Sequence, residues 1–208
     1  YASVIESNNK QTTNVVLEGR TLWKDGGWNT LCLPFNVDLT AEGCPLAGAI
    51  ALPLTTANIT DGTLNLTFGD PVKTLTAGTP YIIKWESGTN IVDPVFMGVT
   101  INKTMNNYDN EATGEGRVRF IGTYDNISFS SDDTSILFMG DANKLYYPES
   151  GATIGACRAY MKIGEDAATT RTITDFNFNF GDEETGITLV EEQKVESDGW
   201  YTLTGVKD

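Results

Sequence analysis

Gly26-Gly27-Trp28-Asn29-Thr30-Leu31-Cys32-Leu33-Pro34-Phe35 is the densest run of large apolar residues in the chain. Two glycines open it, Pro34 removes a ladder donor near its end, and the residues between alternate with the two-residue period of a strand. The stretch reads as a central core strand, with Trp28 in the core and the rest of the chain laid beside it.

Working outward, Val15-Val16-Leu17 leads through Gly19 into Thr21-Leu22-Trp23, and Asp25-Gly26-Gly27 turns the chain into the central strand. This punctuation predicts local hairpins. Asp38 to Glu42 is the only segment that reads as a helical turn, with Asp38 as its cap. A short apolar strand runs from Ala49 to Leu54, and Thr63 to Phe68 alternates cleanly, so one face is buried and the other wet. Further strands are expected at Tyr81 to Trp85, Pro94 to Ile101, Arg117 to Tyr124, Ile136 to Gly140, Lys144 to Pro148, Ile154 to Ile163 and Ile173 to Phe180. In the last of these Phe176, Phe178 and Phe180 alternate with Asn177 and Asn179, so the three rings point one way. Asn102 to Gly116 is a long polar surface loop. Many short strands divided by Gly, Pro and Asn turns predict an all-β fold, an antiparallel β-sandwich or jelly-roll-like architecture. Residues 1–186 form a β-sandwich-like domain, or two small sub-sheets. Residues 187–208 are expected to be an acidic linker or tail that adds an edge strand.

Composition narrows the function. The 208 residues carry a net charge of −14, with 40% hydrophobic and 20% charged residues. An anionic surface repels phosphate backbones and anionic headgroups, so nucleic acid and membrane surface are not expected partners. No apolar run approaches the roughly 20 residues of a membrane-spanning helix. The chain opens at Tyr1 without a basic-then-apolar leader, so a signal peptide is expected to have been removed or to lie outside it. There is no histidine. Nucleophilic triads lose their base and the common zinc hydrolase sites their main ligand. Carboxylate-only chemistry survives, glycoside hydrolysis above all. Of the three cysteines, Cys32 and Cys157 lie in apolar runs and read as buried thiols; Cys44 has the spacing to reach Cys32.

Five phrases stand out: the opening stretch at 26–35, Ala-Gly-Thr-Pro-Tyr-Ile-Ile at 77–83, Ile-Leu-Phe-Met-Gly-Asp-Ala-Asn-Lys-Leu-Tyr-Tyr-Pro at 136–148, Cys-Arg-Ala-Tyr at 157–160 and Asn-Phe-Gly-Asp-Glu-Glu-Thr-Gly-Ile at 179–187. They resemble a β-rich module found near the C-terminus of large secreted and cell-surface proteins of Bacteroidetes. Asp198 to Gly205 resembles the start of the C-terminal element of such proteins. The resemblance implies export and a secreted or cell-surface location, and it brings no binding or catalytic residues with it. In that setting the Asn-x-Ser/Thr triplets at Asn58, Asn65, Asn102 and Asn126 read as polar turn and strand positions.

The candidate ligand-facing aromatics are Trp200, Tyr108 and Tyr124, since a sugar needs an exposed ring face with dipoles beside it. Trp23 and Trp85 are expected to pack on strands. Calcium would need six to eight oxygens from acidic loops. Asn107, Asp109 and Glu111 are the metal candidates, with Asp132-Asp133 and Asp182-Glu183-Glu184 as further acidic turns. For a hydrolase the nearest carboxylates are Asp93, Asp175 and Glu86. The expected function is that of a non-catalytic extracellular module for adhesion or glycan binding, with a glycan or surface protein as partner and no cofactor unless calcium. The alternatives are a carboxylate-only glycan hydrolase and a purely structural spacer.

Overall fold

Alternating patterns become strands, but their partners lie far away in sequence. After a short helix α1 (Ala2–Ser7) come ten strands: β1 (Thr12–Val16), β2 (Thr21–Leu22), β3 (Asn29–Leu31), β4 (Val37–Asp38), β5 (Ile50–Thr60), β6 (Thr63–Phe68), β7 (Thr74–Leu75), β8 (Tyr81–Lys84), β9 (Ile91–Val92) and β10 (Val95–Thr100). They pair as a nested series: β5 with β6, β4 with β7, β3 with β8, β2 with β9 and β1 with β10, all antiparallel. The first half of the chain is one long segment doubled back on itself. The fold-back is at Asp61-Gly62, whose φ values of 50° and 81° make the two-residue turn that matches strand twist.

The second half supplies β11 (Tyr108–Asp109), β12 (Val118–Thr123), β13 (Ile127–Ser128), β14 (Ile136–Met139), β15 (Leu145–Tyr146), β16 (Thr153–Ile154), β17 (Arg158–Ile163) and β18 (Asp175–Phe180). The computed structural model describes residues 1–165 and 173–180. Within them the architecture is an all-β sandwich of two five-stranded sheets, ordered β18-β6-β5-β8-β3 and β11-β12-β17-β14-β15, with smaller two-stranded pairs around them.

The two large sheets close over one core. Leu52, Leu64, Leu66, Phe68 and Ile82 on the first meet Val118, Phe120, Leu137, Ala159, Met161 and Ile163 on the second. A second core lies on the other side of β8, where Leu31, Phe35, Ala51, Tyr81 and Ile83 pack with Ile5, Leu17, Leu22 and Phe96. Arg20 is buried and donates from Nη2 to the Thr30 carbonyl at 2.7 Å, and burial pulls its pKa down to about 10.

Several expectations are corrected. The 26–35 stretch is fully buried from Asn29 to Phe35, yet only Asn29–Leu31 is strand and β3 is the edge of its sheet. Cys32 there presses on Gly122, where an added Cβ would sit 2.2 Å from its Sγ. Trp28 is half-buried, stacked on Phe180 with ring centroids 5.4 Å apart, and Lys84 Nζ lies 4.8 Å from its ring. The local hairpins among residues 15–35 are absent, since β1, β2 and β3 each pair with a strand of the 81–100 region. Asp38 ends β4, residues 39–42 form turns and a bend, and the helix is at Ala2–Ser7, where Ile5 anchors it. β5 runs on to Thr60, past a bulge near Thr55. One strand breaks the antiparallel rule: β18 adds to the edge of β6 in parallel. Its three phenylalanines do share a face, with Phe180 stacked on Phe68, while Asn177 on the other face donates to Asn65 and Asn65 to Asn58.

The turn before β8 leaves no room for a side chain. Gly78 has φ 73°, its N–H donates to Leu33 O at 2.7 Å, and an added Cβ would lie 2.0 Å from the Thr104 carbonyl oxygen. Gly78→Ala is expected to cost at least ~2 kcal/mol through strain and backbone displacement. Gly19→Ala, at φ 77° with nothing within 4 Å, should cost only about 1 kcal/mol. Urea midpoints measured at unchanged slope separate the two.

Candidate functional site

Most of the expected site side chains are held by the fold itself. Tyr108 sits half-buried on β11 and its hydroxyl accepts the Ala57 N–H at 3.0 Å. Tyr124 is 7% exposed within the second core; its hydroxyl has no partner among the described residues, and burial raises its pKa. These two rings do not form a platform. Trp200 lies outside the described residues, as do Asp182, Glu183, Glu184 and the 187–208 tail. Trp85 is buried and donates from Nε1 to Ala47 O at 3.0 Å, whereas Trp23, expected to pack, is 36% exposed.

The acidic loop is likewise committed. Asn107 Oδ1 accepts the Gly122 N–H at 2.9 Å. Asp109 takes a two-pronged pair of bonds from Arg117, Nη2 to Oδ2 at 2.6 Å and Nε to Oδ1 at 3.2 Å, and its Oδ1 also accepts the Glu111 N–H. Glu111 is exposed with φ 57°. Among the described residues no group of three or more acidic or cysteine side chains converges as a metal site. Asp132 accepts from Ser150 and Asp133 from Ser135, as turn residues do. All three cysteines are free; burial pushes Cys32 up to about 12 and Cys157 up to about 11.

An open cleft of about 550 Å³ lies between the turns after β4 and the strand β10. One wall is a chain of tight turns: Ala41 N–H donates to Asp38 O, Cys44 N–H to Ala41 O and Ala47 N–H to Cys44 O. Buried Leu39 and Leu46 anchor that wall to the core. The Asp38 carboxylate accepts the Thr40 hydroxyl at 2.6 Å and its N–H at 2.8 Å, and these bonds hold its pKa below the ordinary value. The opposite wall is β10 from Phe96 to Thr100, with Phe96 pinned inward against Phe35 at a centroid separation of 5.0 Å. Asp38 and Glu42 are the charged residues of the lining, which holds no Lys or Arg.

Beside the cleft the β1–β10 ribbon carries exposed apolar side chains: Val16 at 48%, Val95 at 49% and Met97 at 70%. Val16 and Val95 are cross-strand partners, and the pleat puts Met97 on the face of Val95. In sequence these residues look like core, because strand periodicity does not say which face meets solvent. Only the pairing of two segments some eighty residues apart, Thr12 with Thr100 at one end, creates the surface.

The chain matches no family model, no curated protein and no solved structure. Its functional reading therefore rests on its own geometry.

The Arg117 bonds hold the Asp109 carboxyl below its ordinary range. A depressed carboxyl stabilises the fold fully above the ordinary value of about 3.9 and loses that contribution as pH falls through the lower folded value. Asp109→Asn should accordingly lower the melting temperature at neutral pH, with the deficit shrinking as pH drops from about 5 toward 3. Paired thermal melts across that range check it, and a deficit that stays constant rules it out.

Proposed function

We propose that the chain is a non-catalytic, extracellular surface module that works by adhesion, and that the β1–β10 ribbon is the face meeting a protein partner. The observation that carries the reading is the outward Val16, Val95 and Met97 on that ribbon. Adjoining exposed apolar side chains mark interaction surfaces, and covering them returns about 25 cal/mol per Å² removed from water. A surface location is what the resemblance of the 26–35, 77–83, 136–148, 157–160 and 179–187 phrases to exported modules implies. The charge of −14 keeps nucleic acid and anionic membranes away by repulsion.

The competing classes have less support. A glycan platform needs an exposed ring: of the three candidates Tyr108 is tied to Ala57, Tyr124 is inside, and Trp200 lies outside the described residues. A carboxylate-only hydrolase needs one carboxyl raised toward neutrality. Asp38 and Asp109 are instead held low. Asp93 accepts the Gly19 N–H, Asp175 accepts the Phe176 N–H, and Glu86 is exposed. A spacer would have no use for an outward apolar ribbon face.

The test offers the immobilised chain purified extracellular matrix proteins and, in parallel, a glycan array. A retained protein that is lost about tenfold by the Val16→Glu, Val95→Glu double variant supports adhesion through this face. The two carboxylates would face each other across the β1–β10 pair and cost about 1 kcal/mol, so retention is compared at a temperature where both forms are folded by circular dichroism. Glycan retention that survives the double variant, or silence toward proteins, rejects it.

A further inference from the structure

We propose that the cleft beside β10 takes an extended, basic peptide segment of a partner protein, which pairs as an added strand along the free edge of β10. The inference rests on the adhesion reading above and names the chemistry of the partner. β10 is hydrogen-bonded to β1 on one side only. Leu17 N–H donates to Pro94 O at 3.1 Å, across the Val16–Val95 pair. In an antiparallel ladder that bond marks Val16 and Val95 as a non-hydrogen-bonded pair, whose own N–H and C=O groups point away from each other. Val95 therefore presents its main chain to the open side, and alternation puts Met97 the same way. Met97 and Gly98 stand together opposite Asn14, whose side-chain oxygen accepts the Gly98 N–H at 2.9 Å. Beyond this bulge Ile101 N–H donates to Gln11 O at 2.9 Å, so Thr12 and Thr100 form a second such pair and Thr100 also faces outward.

Among the described residues, none bonds to the main chain of Val95, Met97 or Thr100 on that side. Edge strands are ordinarily guarded by charge or proline within them. Val95 to Thr100 reads Val-Phe-Met-Gly-Val-Thr and has neither. Met97 and Thr100 also line the cleft, so the edge opens onto a space bounded opposite by exposed Asp38 and Glu42. Main-chain bonds along such an edge supply affinity and alternate side chains supply specificity. With two carboxylates across the gap, no cation in the lining and a chain charge of −14, the alternate side chains that fit are Lys or Arg.

The probes are fluorescent peptides of about six residues, the length that spans β10: alternating valine and lysine, alternating valine and glutamate, and the lysine peptide with alternate amides N-methylated. Anisotropy is read against the full chain. The lysine peptide should bind, the glutamate peptide should bind about tenfold more weakly or worse, and N-methylation should cost a similar factor. Met97→Pro deletes an N–H that β1 does not use, and Asp38→Lys with Glu42→Lys reverses the opposite wall. Each should weaken the lysine peptide about tenfold, and the second variant leaves β10 untouched should the first misfold. Failure of the lysine peptide to bind, or binding indifferent to N-methylation and to the reversed wall, overturns strand pairing. If such indifferent binding is still lost in the Val16→Glu, Val95→Glu variant, the adhesive face stands and only the pairing mode falls.

Discussion

Tyr81, Ile82 and Ile83 of β8 must be buried on both sides of their sheet at once. Ile82 faces the core shared with the second sheet; Tyr81 and Ile83 face the core built by the N-terminal segment. A strand with two apolar faces cannot rest on a single partner layer. The chain therefore supplies β12, β14 and β17 on one side and the α1 to β2 region with Leu33, Phe35 and Phe96 on the other. Trp85, next along, closes the end of β8 by donating to Ala47.

Covering the second face sets the topology of the first hundred residues. The covering segment must run beside the strand it covers, and the nested pairing from β5–β6 out to β1–β10 does this. Along the nest β5–β6 and β3–β8 belong to the large sheet, whereas β4–β7, β2–β9 and β1–β10 are two-stranded pairs of their own. β1 and β10 are the outermost pair: β10 buries Phe96, β1 half-buries Val15, most of their other residues are exposed, and among the described residues each has one unpaired edge. The exposed apolar face and the open edge are thus by-products of the same geometry that buries β8. A surface placed on the last pair of a nest can vary without disturbing the sandwich beneath it.

The edge of β6 is handled differently. β18 lies against β6 in parallel, stacks Phe180 on both Phe68 and Trp28, and continues an asparagine ladder from Asn58 through Asn65 to Asn177. There the edge of β6 is closed by a main-chain ladder that aromatic stacking and side-chain amides reinforce on the two faces. β10 has no such cover among the described residues.

The sequence by itself determined the class of fold: period-two alternation at Thr63–Phe68 survives as a strand with one buried face, and the expected strands at Val118–Thr123 and Asp175–Phe180 form as well, because that pattern is a property of the extended backbone. It also set the charge and the lack of histidine, and with them which chemistries are open. Tertiary structure alone decided which strand meets which, since nearest-neighbour turns such as Asp25-Gly26-Gly27 are compatible with hairpins that the double burial of β8 overrides. It decided the fate of the candidate site residues for the same reason: Tyr108, Asp109 and Asn107 sit in a polar loop, and only the arrival of Ala57, Arg117 and Gly122 turns them into internal hydrogen-bond partners. The outward Val16, Val95 and Met97 are the converse case. Their hydrophobicity is plain in the sequence, but which side of a strand faces water is settled only by what packs against the other side.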